Sequence, residues 1–160
     1  MITLKTLNRA LKAIRDSENK GLFHPSKSLV AYRLSRMSSQ YRGRIIEHMI
    51  RDYYISKKNN VWYYGGRHPF DMRVNGKRIE VKSALARKES KKSKDYSYNF
   101  QHIKPHNFDK LIMVFISPEG ISTRVVDSRT VATHMGSRKK HKSVRVGKRS
   151  NKRIGKVLVA

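Results

Sequence analysis

The sequence predicts a mixed α/β (α+β) domain, a central mixed sheet flanked by helices, and three observations carry that expectation. Ile45, Ile46, Met49, Ile50, Tyr53 and Tyr54 recur at helical spacing between residues 39 and 54, beside Arg42, Arg44, Glu47 and Arg51. Asn75-Gly76 stands between two alternating segments, the strongest short-range signal for a β-hairpin. Leu111 to Ile116 is an unbroken apolar run, the mark of a strand buried on both faces.

The remaining elements follow in chain order. Leu4, Leu7, Leu11 and Ile14 fit a short amphipathic helix with a basic polar face, stopped at Gly21. Phe23-His24-Pro25 breaks the pattern, and Ser26 is expected to cap a second short helix reaching Met37. After the long helix, Val61 to Tyr64 is aromatic and β-prone and ends at Gly65-Gly66. Strands over Phe70 to Val74 and Lys77 to Ser83 flank the hairpin turn, and the lysine-rich stretch from Ala84 to Asp95 reads as a loop or frayed helix. Tyr96 to Gln101 alternates again, Lys104 to Phe108 turns, Ile121 to Val126 is a strand, and a short helix is expected over Ser128 to His134. Three regions result: a basic helical N-terminal region (1–38), a core (39–135) and a basic tail (136–160).

Charge narrows the function. The 160 residues carry 37 Lys or Arg against 11 acids, a formal net charge of +26. Self-repulsion on that scale calls for a polyanion, and nucleic acid is the first candidate because each neutralised phosphate releases condensed counterions. No apolar run approaches the roughly 18 residues of a membrane span, and the first residues lack the apolar core of a signal peptide. Cysteine is absent, which removes disulfides and thiolate zinc sites. An intracellular protein of cytoplasm or nucleoid is expected, with host, phage and mobile element all compatible sources.

The chemistry sits on the hairpin. Counting outward from Asn75-Gly76 sets Met72 against Ile79 and Asp71 against Glu80. Met72, Val74, Ile79 and Val81 then share the core face, and Asp71, Glu80 and Lys82 the other. Like charges directly opposed are destabilising, so a chain with few acids that opposes two of them has a use for the pair. A hard divalent cation reverses the sign of that interaction. Lys82 reaches the same place, able to orient water or stabilise a phosphate in flight. The alternative is a surface hairpin on which Arg73, Arg78 and Lys82 neutralise the acids.

Pro69-Phe70-Asp71, eight residues, and then Glu80-Val81-Lys82 resembles the motif of the PD-(D/E)xK nuclease superfamily, with Phe70 inserted between proline and aspartate. The resemblance spans about 39–126 and implies a restriction-endonuclease-like core. It implies Asp71, Glu80 and the Val81 carbonyl as ligands of Mg²⁺, for which Mn²⁺ substitutes, and Lys82 as the catalytic lysine. It also implies roles for Glu47, as the acid of the preceding helix, and for Gln101, on the strand after the lysine. Glu47 has a competing reading as an ion-pair partner of Arg44 or Arg51. The expected activity is hydrolysis of double-stranded DNA by a site-specific restriction or homing type of endonuclease, acting as a homodimer or higher oligomer. Junction resolution and plain nucleic-acid binding are the alternatives.

Phosphate contacts are expected from Arg67, His68, Arg73 and Ser83 around the site and from Lys88, Lys91, Lys92 and Lys94 after it. Ser137 to Lys156 holds ten Lys or Arg and no acid, a block that reads as an arm gripping backbone through Arg138, Lys139, Lys140 and Lys142. Trp62, Tyr63 and Tyr64 are read chiefly as packing against the long helix.

Overall fold

The structure is a computed structural model that describes residues 22–66, 68–88, 96–135, 142–147 and 157–158. The helix expected over Leu4 to Ile14 lies outside them.

Two helices come first, α1 (Leu29–Ser35) and α2 (Ser39–Ser56). Each is capped by a serine hydroxyl: Ser28 accepts from the Ala31 N–H and Ser38 from the Tyr41 N–H, both at 3.3 Å. The α1 cap is therefore Ser28 and not Ser26, whose own N–H and hydroxyl are engaged with the His24 ring. Strands β1 (Val61–Tyr63), β2 (Met72–Val74) and β3 (Lys77–Leu85) follow. Asn75 and Gly76 have φ of 49° and 80°, the pair of left-handed residues that a two-residue hairpin turn requires. Asn75 also donates its side-chain amide to Asn59 Oδ1 at 2.7 Å and accepts the Asn60 N–H at 3.0 Å. These bonds tie the turn to the chain just beyond α2 and so set the hairpin against that helix.

The start of the stretch expected as loop after Ala84 is strand instead, and residues 89–95 lie outside the described residues. β3 continues to Leu85, and β4 (Arg87–Lys88) starts a second sheet with β5 (Tyr96–Ile103). A single 3-10 turn (Pro105–Asn107) leads to β6 (Lys110–Ser117), β7 (Gly120–Asp127) and α3 (Ser128–Met135). Part of the basic tail is also built into the fold. β8 (Lys142–Val146) pairs antiparallel with β5, and β9 (Val157–Leu158) with β7. Val144 and Val146 are buried: two apolar residues at strand spacing suffice to seat a strand within a charged block.

The main sheet has the order β1-β2-β3-β6-β7-β9, with β3 and β6 parallel and the other neighbours antiparallel. Its two faces carry separate cores. Ile112, Val114 and Ile116 of β6 join Met72, Val74, Ile79 and Val81 against Ala31, Leu34 and Ile46 of the helices. Leu111, Met113 and Phe115 point the other way, against Phe100 and Ile103 of β5, Val144 and Val146 of β8, and Val131 of α3. Strand β6 is buried on both sides, as its unbroken apolar run implies. Each such side chain contributes about 1.5–3 kcal/mol by leaving water, and both layers fix the position of β3 between them.

Candidate active site

The hairpin register matches expectation through Met72–Ile79 and then departs from it. Asp71 leaves the ladder. Its N–H turns to the Ile79 carbonyl at 3.0 Å, and its Oδ2 accepts the Val81 N–H at 2.7 Å. A carboxylate thus stands where a backbone carbonyl would continue the sheet. Asp71 and Glu80 are not directly opposed, a correction to the simple outward count, yet Glu80 remains within reach of the charge of Asp71.

Glu80 is buried and lies beside Lys82, Oε1 to Nζ 2.6 Å. Burial pushes its carboxyl up, the charge of Asp71 adds to that, and Lys82 and Lys104 oppose it. Burial likewise pushes Asp71 up to about 6; the Val81 N–H and Lys82 pull it down and Glu47 pushes it further up. Glu47 itself accepts the Tyr63 hydroxyl at 2.9 Å, while Arg51 pairs with the neighbouring Asp52. Burial first, and then that hydrogen bond, push the Tyr63 phenol up to about 12. The long helix therefore sets Glu47 against Tyr63 of β1.

The arginines that would neutralise a plain surface hairpin are engaged elsewhere. Arg78 pairs with Asp109 at 2.7 Å, and the Arg73 guanidinium lies 5.5 Å from the centre of the Phe70 ring. Lys82 is the cation of the group. Among the described residues, no three His, Cys, Asp or Glu side chains gather closely enough to enclose a metal ion. The two desolvated carboxylates are still donors that suit a hard cation, the balance coming from water or phosphate oxygens.

Other expected contacts divide. Ser83 follows Ile79 and Val81 in the alternation of β3 and so sits on the helix face, away from Glu80 and Lys82. Arg73 and Lys88 are exposed. Lys142 lies in β8, and Arg67, Lys91, Lys92, Lys94, Arg138, Lys139 and Lys140 fall outside the described residues. Gln101 is exposed at a β-bulge where two residues of β5, Gln101 and His102, lie between the partners Phe100–Val144 and Ile103–Lys142. His102 has φ of 57°, and the bulge exposes both residues in succession.

His102, and not Gln101, lines a cleft of about 220 Å³ beside Glu80. His68, Pro69, Lys104, Asn107 and Phe108 complete its lining. His102 and Lys104 are functional candidates that alternation concealed, since a bulge shifts the facing of every later residue. Pro105 after Lys104 was the available signal that the strand ends in a turn there.

No family model matches the chain, and no curated protein does. Among solved structures, the bacterial homing endonuclease I-Ssp6803I is similar at 16% identity and a TM-score of 0.49, over 69% of this chain and 78% of that one. No helix among the described residues is long and apolar enough to cross a membrane.

Proposed function

We propose that this chain is a Mg²⁺-dependent endonuclease hydrolysing DNA phosphodiester bonds, with a PD-(D/E)xK-type site. The observation that carries the proposal is the hairpin itself. A chain with 26 surplus positive charges keeps Asp71 and Glu80 desolvated, with both carboxyls raised and Lys82 paired to Glu80. A protein that only binds phosphates gains nothing from two buried acids at its phosphate-facing surface.

Asp71, Glu80 and the Val81 carbonyl would hold the cation, which supplies charge neutralisation and a water of lowered pKa. Asp71 can serve because above pH about 6 it is ionised. Lys82 is held by Glu80 at the same edge, where its ammonium orients the attacking water and offsets charge building on the phosphate. Glu47, anchored by Tyr63, keeps negative potential on Asp71's side of the site. One such site cuts one strand. A site-specific double-strand cutter of restriction or homing type therefore acts as a homodimer or larger assembly, and we place the function there.

The test is cleavage of supercoiled plasmid in Mg²⁺ or EDTA by wild type and Lys82→Ala in parallel. Nicked or linear product that needs Mg²⁺ and disappears in the variant supports the enzyme. Absence of cleavage by either protein, on plasmid and on a four-way junction, overturns it and leaves nucleic-acid binding as the function.

A further inference from the structure

The cleft next to Glu80 is built from three separate pieces of chain. His68 comes from the loop between β1 and β2, His102 from the β5 bulge, and Lys104 and Asn107 from the turn into β6. These side chains line the cleft together with Glu80, whose carboxylate is already engaged with Lys82. With the Lys104 ammonium among them, the lining suits an anion and not a second cation. Among the described residues, the two histidines and Glu80 do not form a metal-holding group.

The backbone supports the same reading. A non-glycine residue at φ of 57° is unfavourable, and such conformations persist where surrounding structure enforces them, often at sites of function. Here the bulge turns the His102 side chain out of the β5–β8 core, between the buried Phe100 and Ile103, and into the cleft. His68 is held in a cluster of rings, 4.5 Å from Tyr64 and 6.0 Å from Phe70 between centroids. Pro69 adds an apolar patch to the polar lining, suited to the carbon face of a sugar. Phosphate donors beside an apolar wall match one sugar–phosphate unit of a nucleic-acid strand.

We infer that this cleft seats a backbone sugar–phosphate of the DNA adjoining the scissile bond, with His102 and Lys104 as its main phosphate contacts. The inference rests on the nuclease reading for the identity of the adjoining bond, but not for the binding itself. It explains why Lys104 stands close enough to Glu80 to be felt electrostatically without replacing Lys82 as its partner. It makes His102 and Lys104 binding residues, separate from the hydrolytic group on the hairpin.

Affinity for a fluorescent DNA duplex, measured in EDTA across a salt series, tests this on the full chain. The variants are His102→Gly, Lys104→Gln and the double substitution, with the exposed Lys77→Gln as a surface control. Glycine accepts φ above zero without a steric penalty, so His102→Gly removes the imidazole while keeping the bulge, and its thermal melt is measured beside wild type to show that the fold is kept. The double variant is expected to bind at least about fivefold more weakly, with a salt slope shallower by about one to two. Lys77→Gln changes affinity less and leaves cleavage unchanged. In Mg²⁺ the double variant raises KM with kcat largely kept, whereas Lys82→Ala loses kcat. A double variant that binds no worse than Lys77→Gln overturns the cleft assignment, even where wild type cuts DNA. If wild type cuts nothing yet the double variant binds weakly, the cleft stands as a DNA contact and the nuclease reading falls.

Discussion

Asp71 and Asp109 do the same thing to the same strand and end in opposite electrostatic states. Each carboxylate accepts a backbone N–H of β3, Asp71 from Val81 at 2.7 Å and Asp109 from Arg78 at 2.8 Å. Asp109 also receives the Arg78 guanidinium, and that hydrogen bonding holds its carboxyl below the usual range. Asp71 is half-buried, and that desolvation, with the charge of Glu47 added, pushes it up to about 6. In a chain so rich in arginine and lysine, supplying Asp71 with a guanidinium would be easy. Asp109 is fastened as a structural tie by Arg78, and Asp71 is the carboxylate that the proposed metal site would use.

The sharpest way to break this contrast is catalytic. Asp71→Asn should reduce Mg²⁺-dependent cleavage by about 100-fold or more, the scale of losing one essential charge-stabilising group, while retaining duplex binding. Asp109→Asn should leave cleavage within a few-fold of wild type. Equal losses in the two variants, in a plasmid nicking assay, would remove the functional distinction. The pH dependence belongs to the same comparison: cleavage should rise as pH increases through about 6, where Asp71 ionises.

Stability should separate the two in sign. Asp71 has a folded pKa above its ordinary 3.8. Between these values the folded state holds a proton that the unfolded state has released, so stability falls as pH rises across that window. Asp71→Asn removes the cost and keeps an oxygen for the Val81 N–H. It should stabilise the metal-free protein at pH 7 by about 1–2 kcal/mol, less than the full shift implies because the group is partly solvated. The gain should vanish below about pH 4. Asp109 has a lowered folded pKa, so its contribution is present above the ordinary value and is lost as pH falls through the lowered one. Asp109→Asn should lower the melting temperature at pH 7, by a smaller margin because the pair is largely exposed. Thermal melts over a pH series decide both.

The smallest expected effect is at Tyr63. Tyr63→Phe deletes one hydrogen bond to Glu47 and should weaken Mg²⁺ affinity by about tenfold, the lower end for a residue that orients a site indirectly. Titration calorimetry provides the measurement, and rescue of cleavage at raised Mg²⁺ distinguishes positioning from misfolding.

These contrasts also show which parts of the molecule were legible in the sequence. The hairpin register through Met72–Ile79 was legible because Asn-Gly permits few turn geometries, and the turn then dictates the pairing. The doubly buried β6 and the long α2 were legible from apolar pattern alone. The exit of Asp71 from the ladder was not, since a side chain replacing a backbone acceptor leaves no mark on alternation. The bulge at Gln101–His102 depends on φ, which residue identity constrains only weakly outside glycine and proline. The strands of the basic tail were hidden by charge, although Val144 and Val146 carried the two-residue period. Even the α1 cap was misplaced by two residues, because Ser26 and Ser28 are equally good cap residues and only tertiary packing chooses between them.

The pairing of β8 with β5 has a consequence for how the chain is made. Tyr98, Asn99 and Phe100 find their partners in Val146, Arg145 and Val144, more than forty positions later. The hairpin with its acids can form early during synthesis, but the layer behind it closes only after residue 146 has left the ribosome. Until then Phe100 and Phe115 lack the covering strand, and apolar surface exposed in that way favours aggregation. Two valines in a stretch that looks like a mere electrostatic handle thus decide when the molecule becomes a finished object.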